Sequence, residues 1–134
     1  MKVMVCGSIG YGGISDIKDL YSFLASRGFE ILDHIRLGGM DYSDIRDFRD
    51  RIDLSRRIVE HDLKLVKQAD VLVVIAKSPS FGTGIEVFIA KNSGKIIVLL
   101  AKEPVPTPWP VNFSDYVVTN EDELVNVLLD LKKR

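Results

Sequence analysis

The sequence predicts an α/β fold, a flavodoxin-like or Rossmann-like three-layer sandwich whose five-stranded parallel sheet has the order 2-1-3-4-5. Three observations predict it. Five apolar segments alternate with four stretches of helical spacing, the pattern of successive strand-helix units. Val71–Ala76 and Lys95–Leu100 are nearly continuous apolar runs, as strands covered on both faces should be. Loops rich in glycine or turn residues follow the first and third apolar segments, whose carboxyl ends flank the crevice of that strand order. With 134 residues and no linker, repeat or low-complexity tract, residues 1–134 are expected to form one domain.

The elements follow in order. Lys2–Cys6 is a short apolar strand, followed by Gly7-Ser-Ile-Gly-Tyr-Gly-Gly. Ser15 is a credible N-cap for a helix with the stripe Ile17, Leu20, Tyr21 and Leu24, stopped at Gly28. Phe29–Ile35 reads as the second strand, and Arg36–Phe48, with Gly38-Gly39, as a long polar loop. A charged helix is expected from about Asp50 to Gln68, with Ile52, Ser55, Val59, Asp62, Leu63 and Val66 on or near one face. Then come strand Val71–Ala76, a turn-rich loop to Gly82, and a helix carrying Ile85, Phe88 and Ile89. After Lys95–Leu100, the alternating prolines of Glu103–Pro110 favour a stiff extended loop. Tyr116–Val118 is a short strand, and Asn120 with Glu123 forms a capping box for the last helix.

Composition narrows the function. The net charge of −1 offers no electrostatic case for a nucleic acid polymer or an anionic membrane. No apolar run approaches the roughly 20 residues of a membrane helix, and no signal peptide is visible, so a cytoplasmic location is expected. Cys6, the single cysteine, falls in a strand pattern and reads as a buried thiol. One cysteine and two histidines at unrelated spacings make no metal site.

Three features carry chemistry. The loop Gly7–Gly13 presents bare N–H groups before a helix, a cradle for an anion or equally a flexible turn. It lacks both the G-x-G-x-x-G dinucleotide pattern and the Gly-Lys-Ser/Thr of a P-loop. Ser80-Phe-Gly-Thr-Gly-Ile-Glu86 places a carboxylate in the expected first turn of a helix at the sheet's ligand end. Glu86 is either a nucleophile or the far half of a Thr83-x-x-Glu86 capping box. Asp62 lies on a helix face expected to meet the sheet, where a carboxylate needs a partner or a function. His61 is expected to be exposed, and His34, beside Asp33, to line the crevice or lie on the surface.

Together these segments resemble the nucleoside 2-deoxyribosyltransferase superfamily, with the 2'-deoxynucleoside 5'-monophosphate N-hydrolase branch the nearer match. The matching pieces are Val5-Cys-Gly-Ser-Ile, Asp33-His-Ile, Glu60-His-Asp-Leu, Ala69-Asp-Val-Leu-Val-Val and Pro79-Ser-Phe-Gly-Thr-Gly-Ile-Glu, in that order. The resemblance implies Glu86 as a glycosyl nucleophile and Asp62 as the group assisting the leaving base. It also implies that Ser8, the loop N–H groups after it, Ser80 and Gly82 hold the 5' end; with His34 and Tyr11 added from their positions, the substrate-binding candidates are Gly7, Ser8, Ile9, Gly10, Tyr11, His34, Ser80 and Gly82. Ser80 favours a nucleotide, since the nucleoside transferases typically carry an aspartate there, hostile to phosphate. The chain departs from the branch at Met4, where a tyrosine is usual, and at Gly10, where an arginine is usual; Tyr11 offers a phenol from another backbone position.

The expected activity is hydrolysis of the base–sugar bond of 2'-deoxynucleoside 5'-monophosphates, without metal or organic cofactor. Base exchange by a deoxyribosyltransferase, cleavage of ribonucleotides on a similar fold, and non-catalytic nucleotide binding are the alternatives. The expected partners are a small deoxynucleotide or deoxynucleoside and, through the sheet's exposed end and the proline-rich loop, a second copy of the chain in a homodimer.

Overall fold

A computed structural model describes residues 1–10, 12–37 and 41–134. Five parallel strands run β1 (Lys2–Cys6), β2 (Glu30–Ile31), β3 (Val71–Ile75), β4 (Ile96–Leu100) and β5 (Tyr116–Val118), in the sheet order β2-β1-β3-β4-β5 expected from the sequence. The helices are α1 (Gly13–Ser26), α2 (Ile52–Gln68), α3 (Phe81–Asn92), α4 (Trp109–Phe113) and α5 (Glu121–Lys132).

Alternation along the central strands divides the core into two layers. Val3, Val5, Val71, Val73, Val98 and Leu100 pack with α1 and α5 through Ile17, Leu24, Leu124 and Leu128. Met4, Cys6, Leu72, Val74, Ile97 and Leu99 pack with α2 and α3 through Leu65, Val66, Val87 and Ala90. Among the described residues the α1/α5 layer buries eighteen apolar side chains and the α2/α3 layer thirteen, the large ones contributing roughly 1.5–3 kcal/mol apiece before the entropy of ordering them is subtracted.

The structure corrects several boundaries. β2 covers two residues instead of seven, and Tyr21 supplies the reason. Leu32 N–H still donates to Val3 O at 2.8 Å, but the next ladder bond is relayed through the Tyr21 phenol. Val5 N–H donates to Tyr21 Oη at 2.9 Å, and Tyr21 Oη lies 2.7 Å from Leu32 O. The side chain from α1 thus keeps β2 tied to β1 while holding the two backbones apart. Ser15 is not the cap of α1: Gly12, in the left-handed region at φ 82°, precedes the helix. In α2 the buried residues are Ile58, Leu65 and Val66, whereas Ile52 and Val59 face outward. The proline-rich segment ends in the extra helix α4, with Pro110 in its first turn where a missing N–H costs nothing. Asn120 caps α5 as expected, its Oδ1 accepting from Glu123 N–H at 2.8 Å.

The loop after β1 owes two of its glycines to backbone geometry. Gly12 needs a positive φ, and a Cβ on Gly13 would stand 1.9 Å from Ser8 O. Gly10, by contrast, has open space around it. Gly13→Ala is therefore expected to cost about 1–3 kcal/mol in urea unfolding, with Gly10→Ala within about 0.5 kcal/mol of the parent. Equal effects at the two positions would contradict the tight approach of Gly13 to Ser8.

Candidate active site

Glu86 stands one turn deeper in its helix than the sequence suggests. Ser80, not Thr83, is the N-cap of α3, its Oγ accepting from Thr83 N–H at 3.4 Å. That leaves Glu86 in the second turn, and the Thr83-x-x-Glu86 capping box does not form. Glu86 shares a helix face with the buried Val87 and Ala90, so its carboxyl is carried toward the sheet. Its Oε2 is shut from solvent and has no hydrogen-bond partner among the described residues. Burial, and then the charge of Asp62, push its pKa from 4.5 up to about 8.

Asp62 comes from the facing helix α2, one turn from Ile58, Leu65 and Val66, and its side chain is only 13% exposed. Its Oδ1 lies 3.1 Å from Nδ1 of His61, which is half-buried rather than exposed as expected. Cys6, at the end of β1, completes the floor. Its thiol is held well above its ordinary pKa by burial, then by the charges of Glu86 and Asp62. The two carboxyl groups and the thiol therefore meet at the carboxyl end of the sheet, on the layer covered by α2 and α3.

His34 is buried and 2.8 Å from Tyr21 Oη through Nδ1. The phenol has one proton, which the 2.7 Å contact assigns to Leu32 O, and it already accepts from Val5 N–H. His34 Nδ1 is then the donor to Tyr21, leaving Nε2 as an acceptor in the neutral ring. Burial lowers the His34 pKa, against the opposing charges of Asp62 and Asp33, and so favours that neutral form. Asp33 is itself committed: it accepts from the N–H groups of Ile35 and Arg36 and pairs with the Arg36 guanidinium at 2.6 Å.

The loop candidates fall elsewhere in the same end of the sheet. Gly7 and Ser8 line a cavity of about 50 Å³ with Gly12, Gly13, Asp16, Ile17, Ile75, Lys77 and Ser78. Ser8 Oγ donates to Gly10 O at 3.2 Å. Ile9 puts its side chain into the core, which leaves only its backbone for a ligand. Gly10 and Gly82 are exposed, Ser80 is half-buried at its cap, and Tyr11 lies outside the described residues, as does Gly38-Gly39 of the second loop. Met4 is fully buried under α2 and α3.

Sequence reading missed two groups. Lys77, whose ammonium lies 3.0 Å from Asp16, brings a cation to the cavity beside Gly7–Gly13. Its position directly after β3 was the available signal. Tyr42 stacks edge-on against Phe48, with ring centroids 5.6 Å apart, near enough to the carboxyl pair to feel both. Burial first, then Asp62 and Glu86, raise its phenol to about 12, so it stays protonated and can donate. No sequence signal marked it, because it lies in a polar loop without periodicity.

The raised pKa of Glu86 has a stability consequence. The unfolded chain releases this proton near 4.5 while the native chain keeps it to about 8. Between those values the native state binds more protons, so stability falls as pH rises, by roughly 1.4 kcal/mol per unit of raised pKa. Glu86→Gln removes the ionisation. It is expected to stabilise the protein more at pH 8.5 than at pH 5, as read from urea midpoints. A pH-independent effect of the substitution would contradict the buried carboxyl.

No protein-family model matches the chain. It is 30% identical over 89 residues to a Thermofilum pendens protein named "Putative 2'-deoxynucleoside 5'-phosphate N-hydrolase 1". That match covers 66% of this chain but only 57% of the relative, so the chain spans little more than half the length of the curated relative it matches. In fold it is similar to the 2-deoxyribosyltransferase of Bacillus psychrosaccharolyticus, with a TM-score of 0.67 at 14% identity, over 92% of this chain and 90% of the other. It is also similar to a Clostridium botulinum CMP N-glycosidase, with a TM-score of 0.53 at 22% identity, over 98% and 99% of the two chains. The likeness in fold thus covers nearly the whole chain.

Proposed function

We propose that this chain is an N-glycosidase that cleaves 2'-deoxynucleoside 5'-monophosphates to free base and 2-deoxyribose 5-phosphate. The observation that carries the reading is the Glu86 carboxyl, buried beside Asp62 with one oxygen unpaired. Such a group is expensive to keep unless a ligand completes it. In the proposed reaction a Glu86 oxygen bonds to the anomeric carbon as the carbon–nitrogen bond breaks. The electron pair of that bond leaves with the base, which takes a proton delivered with the help of Asp62. Water then attacks the same carbon, its proton replaces by way of Asp62 the one taken by the base, the bond to Glu86 breaks, and the carboxylate is restored. The transition states carry positive charge on the sugar, which favours the ionised form of Glu86 just when it must react.

The 5'-phosphate is assigned to the glycine-rich loop. Ser8, the N–H groups of Ser8 and Gly12, Ser80 and Gly82 supply donors, and Lys77 supplies a cation in a loop that lacks the arginine of the nucleotide hydrolases. His34 Nε2 is an acceptor for the substrate, and the Tyr42 phenol a donor. No residue of this scheme calls for a metal ion or an organic cofactor.

A second copy of the chain is the proposed partner. Phe81, Ile85 and Phe88 form an exposed stripe along α3, with Phe81 95% exposed. α4 continues it, through the 5.9 Å contact of Phe88 with Phe113 and the 70% exposed Trp109. α2, on the other side of α3, adds Ile52 and Val59. Exposed apolar side chains on the helices that carry Glu86 and Asp62 are what a subunit interface beside the site would use.

Two measurements test the reading. Free base should appear from at least one of the four deoxynucleoside monophosphates, with kcat/KM rising as pH approaches 8, and Glu86→Ala should reduce it about a thousandfold or more. Supplying a second base tests the acceptor: exchange faster than release would make the enzyme a transferase. Binding without any turnover, unaffected by Glu86→Ala, would contradict catalysis altogether. For the assembly, light scattering should give twice the mass of the chain, and Phe81→Glu with Ile85→Glu should halve it. A parent protein that is monomeric at tens of micromolar would contradict the proposed interface.

A further inference from the structure

Thr83 is the second buried polar group without a partner. Its Oγ1 is shut from solvent and makes no hydrogen bond among the described residues. A threonine within a helix ordinarily returns its hydroxyl to a carbonyl one turn back. Here Gly84 N–H already takes Ser80 O at 3.1 Å, and the Thr83 hydroxyl does not share it. Thr83 precedes Glu86 by three residues, so the two side chains are neighbours on one helix face, roughly 5–6 Å apart at Cβ. The two unpaired buried side-chain oxygens of the described residues therefore belong to neighbouring side chains of one helix face.

We propose that the Thr83 hydroxyl is a sugar-contact group that binds the 3'-hydroxyl of the substrate; this rests on the reading of Glu86 as the nucleophile. The stereochemistry of the substrate supplies the argument. In a β-nucleotide the base and the 5'-carbon lie on one face of the furanose. A nucleophile displacing the base attacks from the opposite face. On 2-deoxyribose that opposite face carries one hydroxyl, the 3', two ring atoms from the carbon under attack. A sugar seated on Glu86 turns this hydroxyl toward the helix surface beside Glu86. A polar group one turn away on that surface is placed to meet it. The contact satisfies Thr83 Oγ1 and fixes the sugar along α3, with its 5' end toward Ser80 at the helix start.

A binding cycle tests it. Calorimetry in the Glu86→Gln background, which prevents turnover, compares each 2'-deoxynucleoside 5'-monophosphate with its 2',3'-dideoxy counterpart. With Thr83 present, loss of the 3'-hydroxyl should weaken binding about fivefold or more. With Thr83→Val the two compounds should bind within about twofold of each other, and Thr83→Ser should restore the difference. Thr83→Val should fold with an unchanged or raised Tm, because a methyl replaces an unpaired buried hydroxyl. A 3'-hydroxyl preference that survives Thr83→Val, or no preference with Thr83 present, would overturn the inference. Base release by the Glu86-containing protein separates the two levels. Release combined with an unaltered preference in Thr83→Val sinks the Thr83 contact alone. A Thr83-dependent preference without base release sinks the glycosidase reading and leaves the contact standing. Binding of neither compound overturns both.

Discussion

The parallel pairing of β1 with β3 is the constraint from which the rest of this molecule follows. Val3 to Cys6 lie beside Val71 to Val74 in unbroken register, buried on both faces. The chain leaves β1 for α1 on one layer and leaves β3 for α3 on the other. The two loops therefore diverge at the carboxyl edge and open a crevice that needs no cavity in the core. Gly7, Ser8, Gly12 and Gly13 share a cavity with Lys77 and Ser78 for that reason. The alternation of β1 decides which layer each residue serves: Val3 and Val5 support α1, whereas Met4 and Cys6 lie beneath the carboxyl pair.

Electrostatics then sets the character of the crevice. Two carboxyl groups from facing helices cannot both ionise cheaply in a desolvated site, and the deeper one, Glu86, keeps its proton to about 8. A positive charge brought beside the pair would favour the ionised form of Glu86, and in the proposed reaction the sugar losing its base would supply that charge. The same burial keeps Tyr42 protonated and His34 neutral, so donor and acceptor roles around the pair are fixed before a ligand arrives. Unpaired oxygens on Glu86 and Thr83 weaken the empty fold, and a ligand that pairs them recovers the loss.

Much of this was legible in the sequence, and the misses have physical causes. The central strands announced themselves because burial on both faces demands continuous apolar runs, and the strand order followed from right-handed crossovers. Glu86, Asp62 and the glycine-rich loop stand out as candidates by their places at strand ends and on helix faces. β2 was overestimated because hydrophobicity does not reveal a phenol inserted between two strands. The cap of α3 was misplaced by three residues because Ser80 and Thr83 carry equivalent hydroxyls, and only the backbone decides which one caps. That displacement matters, since it releases Glu86 from the structural role the sequence allowed it. Val59 and Ile52 were turned inward on pattern alone, yet they belong to an outward apolar face. Tyr42 and Lys77 came from loops, where neighbours are set by tertiary geometry and leave no periodic trace.

The central claim is that Glu86 forms a bond to the sugar. It is tested most directly by acid-quenching the protein during reaction with a 2'-deoxynucleoside 5'-monophosphate and mapping its peptides by mass spectrometry. The account predicts a deoxyribose phosphate adduct on the peptide containing Glu86, absent from Glu86→Gln. Base release with no adduct on that peptide, or an adduct on Asp62 instead, would contradict it.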